Sequence, residues 1–261
     1  MKEFSATGYC AICEDSREFR AISDKEIPEQ CLPNWFRGSL RCTVCKAPPR
    51  ERALAHALDK YRPAWRNLAI HESSPGGWAF SAKLRRQCPG YVASQYDPTF
   101  PFGEQHESGK WRNENLEEQT FDDRVFDIVI AQDVFEHLFR PGLAAREIAR
   151  TLKPGGLCLM SVPVVRYFRS TERRASLNSE GVVHHLPEQY HGNPVGDGRS
   201  LVTVDWGYDI GAYLSAASGM PFVVLVIDDM SMAIRDPHNT ILIGCKSSLP
   251  DLGEAVFEGH P

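Results

Sequence analysis

The segment from Phe121 to Pro163 constrains the fold more than any other part of the chain. FDIVIAQ, Phe126 to Gln132, is an unbroken apolar run of strand length, the kind that is buried on both faces of a parallel sheet. RPGLAAREIARTL, Arg140 to Leu152, follows with helical periodicity, and Pro141 suits its first turn. KPGG, Lys153 to Gly156, is expected to stop that helix. LCLMSVP, Leu157 to Pro163, then reads as a second buried strand.

The flanking sequence extends the pattern. ERALAHALDKY places Leu54, Leu58 and Tyr61 on one helical face. NLAI and YVASQY (Tyr91 to Tyr96) are strand-like, with a helix over FSAKLRRQC, Phe80 to Cys88, between them. PFVVLVIDD and TILIGCK are strands joined too closely for a helical crossover, so they are expected to pair antiparallel. The prediction is an α/β, doubly wound, mostly parallel sheet of Rossmann-like form, with ligands at the carboxyl ends of the strands.

The chain divides by composition at about residue 50. Residues 1–50 read as a loop-rich module and hold five of the eight cysteines; residues 51–261 carry the strand and helix alternation. Cys10 and Cys13, and Cys42 and Cys45, form two Cys-x-x-Cys knuckles, the form of a zinc ribbon. The spacing is longer than usual and leaves Cys31 as a spare thiol; buried thiols or a redox pair are the alternatives. The net charge of −5, and eight basic against seven acidic residues in the module, argue against a nucleic-acid partner. There is no apolar run long enough to span a membrane and no signal-like N-terminus, so a cytoplasmic protein is expected.

The block from Phe121 to Pro163 resembles the corresponding region of class I S-adenosylmethionine-dependent methyltransferases: a strand opening on acidic and aromatic residues, a Glu-His pair, a helix ending Leu-Lys-Pro-Gly-Gly, and a strand ending in proline. The resemblance implies a methyltransferase domain over residues 51–261. It aligns Glu72 with the acidic residue that opens the cofactor loop, and puts Ser74, Gly76 and Trp78 at the family's glycine positions, with Gly77 adjacent. AIHESSPGG is therefore read as a diverged cofactor loop, with an ordinary turn as the alternative. Since tryptophan cannot replace glycine, the turn must run differently or slip by one residue.

The same resemblance implies that Asp97 accepts the ribose hydroxyls, that Asn115 and Leu116 lie at the adenine, and that Gln132 and Asp133 line the methionine side. An Asx-turn before Pro98 is the alternative for Asp97, and a capped turn for Asp133. His137 falls in the Glu-His pair, where a packed histidine is the commoner role.

Substrate chemistry is expected after Pro163. RYFRSTERRAS holds four arginines that could clamp a phosphate or carboxylate, or form a solvated lid. HHLPEQYHGNPVGDGRSLV reads as an active-site cover, with His191 as candidate base and Tyr190 and His185 nearby. HHLPEQYHGNP also resembles a segment of methyltransferases encoded among glycan-assembly enzymes. The expected activity is methyl transfer to a small-molecule acceptor, a sugar or glycan-precursor hydroxyl; an RNA acceptor read by the ribbon, and a non-catalytic binding protein, are the alternatives. The tail after Lys246 is expected to be partly disordered. Oligomeric state is not legible.

Overall fold

The computed structural model describes residues 1–193, 198–235 and 239–247. The tail expected to be partly disordered lies, from residue 248 onward, outside the described residues, as does the middle of the expected cover (residues 194–197).

The N-terminal segment is not loop-rich. Strands β1 (Glu3–Cys10) and β2 (Asp15–Ile22) form a regular antiparallel hairpin, and β3 (Arg41–Cys42) pairs with β2. The alternation that builds β1 runs through small and polar residues, EFSATGYC, and so gives no hydrophobic signal. Helix α1 (Leu32–Ser39) precedes β3, and α2 (Pro49–Tyr61) follows it; the expected division at residue 50 falls in the first turn of α2. Leu54 and Leu58 are buried, whereas Tyr61 at the end of α2 is exposed.

Strand β4 (Ile70–Ser73), helix α3 (Ala79–Gln87), β5 (Tyr91–Gln95), β6 (Arg112–Asn113), β7 (Phe126–Gln132), α4 (Pro141–Thr151) and β8 (Leu152–Ser161) alternate as expected. After Ser161 the chain forms short antiparallel pairs instead of a loop. β9 (Glu172–Arg173) meets β14 (Val204–Asp205), β10 (Ala175–Asn178) meets β11 (Gly181–His184), and β12 (Tyr190–Gly192) meets β13 (Arg199–Leu201). Helix α5 (Ile210–Ser218), β15 (Phe222–Val226) and β16 (Thr240–Cys245) complete the fold.

The central sheet has seven strands in the order β15-β16-β8-β7-β4-β5-β6. β16 runs antiparallel to both of its neighbours, as the short connection required. The other pairings are parallel, so β4, β5 and β7 end side by side: Ser73 faces Ser94 on one flank and Ala131 on the other. One face of the sheet, with Ile70, Ile128 and Leu159, packs against α2, α3 and the N-terminal hairpin in a continuous core; the other, with Val129, Ala131 and Met160, packs against α4 and α5.

KPGG does not end α4. The helix stops at Thr151, Leu152 is already extended, and Lys153–Gly156 bulge within β8. Phe126 faces Leu152 but Ile128 faces Leu157, and Gly155 takes φ +76° to absorb the extra residues.

Arg52 ties the N-terminal segment to the sheet. Its side chain is fully buried over the Phe19 ring, and it donates to the carbonyls of Leu40 and Ala47 on one side and of Ala233 on the other. Burial lowers its pKa to about 10. Lys83, also buried, donates to the Ala11 carbonyl and pairs with Glu14 at 2.9 Å, pinning the first cysteine knuckle to α3.

Candidate active site and thiolate cluster

The loop after β4 turns on backbone conformations that glycine ordinarily supplies. Ser74 takes φ +55° and donates its N–H to the Ser94 carbonyl, and Gly77 takes φ +70°. Gly76 is required for another reason: a Cβ there would overlap the Trp78 indole, which folds back over it. Trp78 is thus not a substitute for a third glycine. The turn runs differently, and the indole covers it.

Glu72 is buried under α3. Its oxygens accept from Ser81 Oγ at 2.7 Å and Tyr91 Oη at 2.6 Å. Burial pushes the carboxyl up to about 7, although both hydrogen bonds pull it down. At the end of β5, Asp97 forms the Asx-turn: Oδ1 accepts from Thr99 N and Thr99 Oγ1, which holds the carboxyl below its usual value. Both bonds fall on one oxygen, so Oδ2 is left over. Asn115 Oδ1 caps its own turn through Glu117 N, and Leu116 is buried in the core.

Gln132 ends β7 with its amide oxygen and nitrogen both buried and unpartnered among the described residues. Such an amide beside the Ser74 turn is an unfilled demand for a polar ligand. Asp133 follows at φ +50° and does more than cap a turn. It accepts from Ser161 Oγ at 3.0 Å and pairs with Arg37 at 3.2 Å and Arg50 at 3.1 Å. Neither arginine was singled out from the sequence.

Beyond these ends lies a cavity of about 140 Å³, bordered by Arg37, Asp133, Glu136, Pro163, His191 and Asp205. His191 reaches it from β12. Tyr190 and His185 do not. Neighbouring side chains on a strand point to opposite faces, so Tyr190 stands outside, donating to Glu188 with Arg199 over its ring. His185 is exposed and bonded to Ser176 Oγ. His137 is brought in, its ring 5.0 Å from that of His191, and so is Glu136, the other half of the Glu-His pair, to which the sequence assigns no role of its own. The signal for a role of its own is a carboxylate set among apolar residues in VFEHL. Three of the four arginines after Pro163 are engaged within the chain: Arg166 pairs with Glu172, Arg174 with Asp205, and Arg173 donates to the carbonyls of Leu138 and Phe139.

The four cysteines of the knuckles converge. Cys10 and Cys45 Sγ lie 3.7 Å apart, Cys13 and Cys42 Sγ 3.9 Å, and all four within 4.8 Å of one another. Zinc–sulfur bonds of about 2.3 Å at tetrahedral angles set sulfurs about 3.8 Å apart, so the donor set fits one zinc ion. Cys31 is exposed and outside the cluster. A larger cavity of about 410 Å³ lies beside Cys13 and Cys45, away from the strand ends.

A doubly wound sheet with one reversed strand, a tight turn after its first central strand, and unsatisfied polar groups where the strands end make up the architecture of the class I methyltransferase fold. Residues 74–160 match the family model described as a methyltransferase domain. No curated protein sequence matches it. Among solved structures, CalS10 with bound cofactor, an amino pentose methyltransferase from Micromonospora echinaspora, shares 13% identity over 86% of this chain and 100% of its own, at a TM-score of 0.50. Streptomyces venezuelae DesVI shares 13% over 85% of this chain and 100% of its own, at 0.48. A Mesorhizobium loti S-adenosylmethionine-dependent methyltransferase shares 13% over 74% and 98%, at 0.46. At such identity the likeness is one of fold. Among the described residues no helix is long and apolar enough to cross a membrane.

Proposed function

We propose that the enzyme methylates a hydroxyl of a small polyhydroxylated acceptor, a sugar or glycan precursor, in the cavity at the ends of β7 and β8. The observation that carries this reading is the group of Glu136, His137 and His191 at the border of that cavity. A hydroxyl is a weak nucleophile and benefits from a neighbouring proton acceptor or cation; a thiol or carboxylate acceptor would not call for such a group. The cavity suits a compact acceptor, and its borders are polar enough to orient one.

S-adenosylmethionine supplies an electrophilic methyl group on a sulfonium. The residues that would hold it are the Ser74–Gly77 backbone, the orphaned Gln132 amide, Asp97 through its free oxygen, and the Asn115–Leu116 segment. The chain's own contribution is orientation. Asp133 is fixed by two guanidinium groups, and Glu136 by the hydrogen bond of its carbonyl with Thr203 N. Holding a nucleophile in line is worth up to about 7–11 kcal/mol in well-oriented systems. Zinc in the cysteine cluster has a structural role: it is closed by four thiolates and leaves no position for substrate. Eight cysteines with no disulfide among the described residues fit a reducing compartment, the cytoplasm. CalS10 acts on an amino pentose, which is consistent with a sugar acceptor here.

Calorimetry with S-adenosylmethionine is the first test, followed by label transfer from methyl-labelled cofactor to sugars, sugar phosphates and RNA oligonucleotides. Transfer to sugars supports the reading. Transfer to RNA alone, or absence of cofactor heat, overturns it.

A further inference from the structure

Glu136 is 1% exposed, in a short turn between Phe135 and His137, and neither carboxylate oxygen has a hydrogen-bond partner among the described residues. A buried carboxylate left in that state is costly, so a site that keeps one is built to receive a cation or donor. Two imidazoles face the same oxygen. His137 Nε2 lies 3.8 Å from Glu136 Oε1, and His191 Nδ1 3.7 Å.

Both gaps are too long for hydrogen bonds. They match the spacing of ligands around one ion, because donor atoms about 2.0–2.2 Å from a metal stand about 3–4 Å from each other. The other nitrogen of His137 completes the picture. Nδ1 lies 2.8 Å from the Leu201 carbonyl, which can only accept, so Nδ1 carries the hydrogen and Nε2 presents its lone pair toward Glu136. Metal-ligating histidines are commonly held by this second hydrogen bond. Thr203 secures the same turn through the Glu136 and Leu138 carbonyls.

We propose that Glu136, His137 and His191 bind a divalent transition-metal ion whose remaining positions take oxygen ligands in the cavity. The inference rests on the cavity being the acceptor site, and it specifies the acceptor as a compound with two neighbouring oxygens, a vicinal diol. Two imidazoles and one carboxylate suit manganese, cobalt, iron or zinc; magnesium and calcium favour oxygen-only sites. A divalent ion eases loss of a proton from an oxygen bound to it, so His191 acts as a ligand and need not take that proton itself.

Mn²⁺ alone is the probe, since the soft cysteine cluster selects zinc over manganese. The full chain, as purified, is titrated with Mn²⁺ and the free ion is read by electron paramagnetic resonance. The expected result is a single Mn²⁺ per chain, with binding weakened about tenfold or more in Glu136→Gln and in His191→Ala, and zinc content unchanged in both. His191 is 38% exposed on a short strand, so its variant retains the fold even if Glu136→Gln does not. No binding by the wild type at millimolar Mn²⁺, or wild-type binding in the folded variants, overturns the proposal and leaves Glu136 in a Glu–His contact. Calorimetry with S-adenosylmethionine separates the two readings. Cofactor heat without Mn²⁺ binding sinks only the ion; Mn²⁺ binding without cofactor heat keeps the ion and sinks the methyltransferase site.

Discussion

Arg50, in the first turn of α2, places Nε 3.1 Å from Asp133 Oδ2 at the end of β7 and holds its guanidinium 4.6 Å from the centre of the Trp78 ring. One side chain thus joins the N-terminal segment, the acidic strand end and the loop after β4. Both charged partners are largely buried, so solvent and salt screen this ion pair less than one at the surface. Arg50→Met is expected to lower the melting temperature and to weaken S-adenosylmethionine binding several-fold, because the indole loses its cover. Arg50→Lys is expected not to rescue it, since an ammonium cannot stack and bond in the same plane. Calorimetry and melting curves check both.

Glu72 makes stability depend on pH. Its carboxyl titrates at about 7 when folded, against an ordinary value of 4.5. The folded state therefore favours the protonated acid. The stabilisation is complete below pH 4.5 and is lost as pH rises through 7, a change of roughly 3 kcal/mol. Glu72→Gln keeps an acceptor for Ser81 and offers a donor to Tyr91, whose hydroxyl can accept. The variant is expected to be more stable than wild type above pH 7 and to lose this slope. Urea unfolding from pH 4.5 to 8 measures it; parallel curves for the two proteins would sink the assignment.

Strand β7 was legible to the residue, Phe126 to Gln132, because a strand buried on both faces announces itself as a continuous apolar run. The β1–β2 hairpin was not, because its inward positions include Ala6 and Gly8 and its outward ones are polar or aromatic. The site divides in the same way. The knuckle cysteines are local pairs, and the pairs were visible. The partnership of Glu136 with His191 exists only because β12 and β13 fold back over the turn after β7, and no local pattern records it. Tyr190 and His185 looked like neighbours of His191 in sequence, but strand alternation and the β10–β11 hairpin carry them away.

Loss of the zinc proposed for the cysteine cluster is expected to unfold the N-terminal segment and weaken the rest, because Cys10 and Cys42 lie in the core shared with Leu54 and Ile128. In Cys42→Ser, zinc content is expected to fall to near zero. The melting temperature should drop by roughly 10 °C, since 1 kcal/mol corresponds to about 2–4 °C in a chain of this size. Cys31→Ser, at an exposed position outside the cluster, is expected to change neither quantity. Elemental analysis and thermal scans decide. A Cys42→Ser protein that keeps its zinc would remove these thiolates from the role.

Asp97 offers a cleaner separation of binding from stability. Its Asx-turn is also held by Asn113, whose amide bonds the Asp97 backbone at N and O. Asp97→Ala therefore leaves the turn anchored while deleting the acceptor proposed for the ribose hydroxyls. The expectation is an S-adenosylmethionine affinity about tenfold weaker or worse, with little change in melting temperature. Equal affinity in the variant would strike Asp97 from the site.

Gly76 and Trp78 form a testable pair. A Cβ at residue 76 overlaps the indole, and the indole cannot swing away freely because Arg50 packs over it. Gly76→Ala is expected to destabilise by about 1–3 kcal/mol, the usual result of forcing a methyl group into filled space. In a Trp78→Ala background the same substitution no longer meets the indole, and its cost should largely vanish. A double-mutant cycle by urea unfolding measures the difference as a coupling between the two positions. Additive costs would mean that Gly76 is required by the backbone and not by the ring. Calorimetry on the four proteins then reports which of the two states of the loop, covered or uncovered, accepts S-adenosylmethionine. Tighter binding in Trp78→Ala would identify the indole as a cover that must move before the cofactor enters.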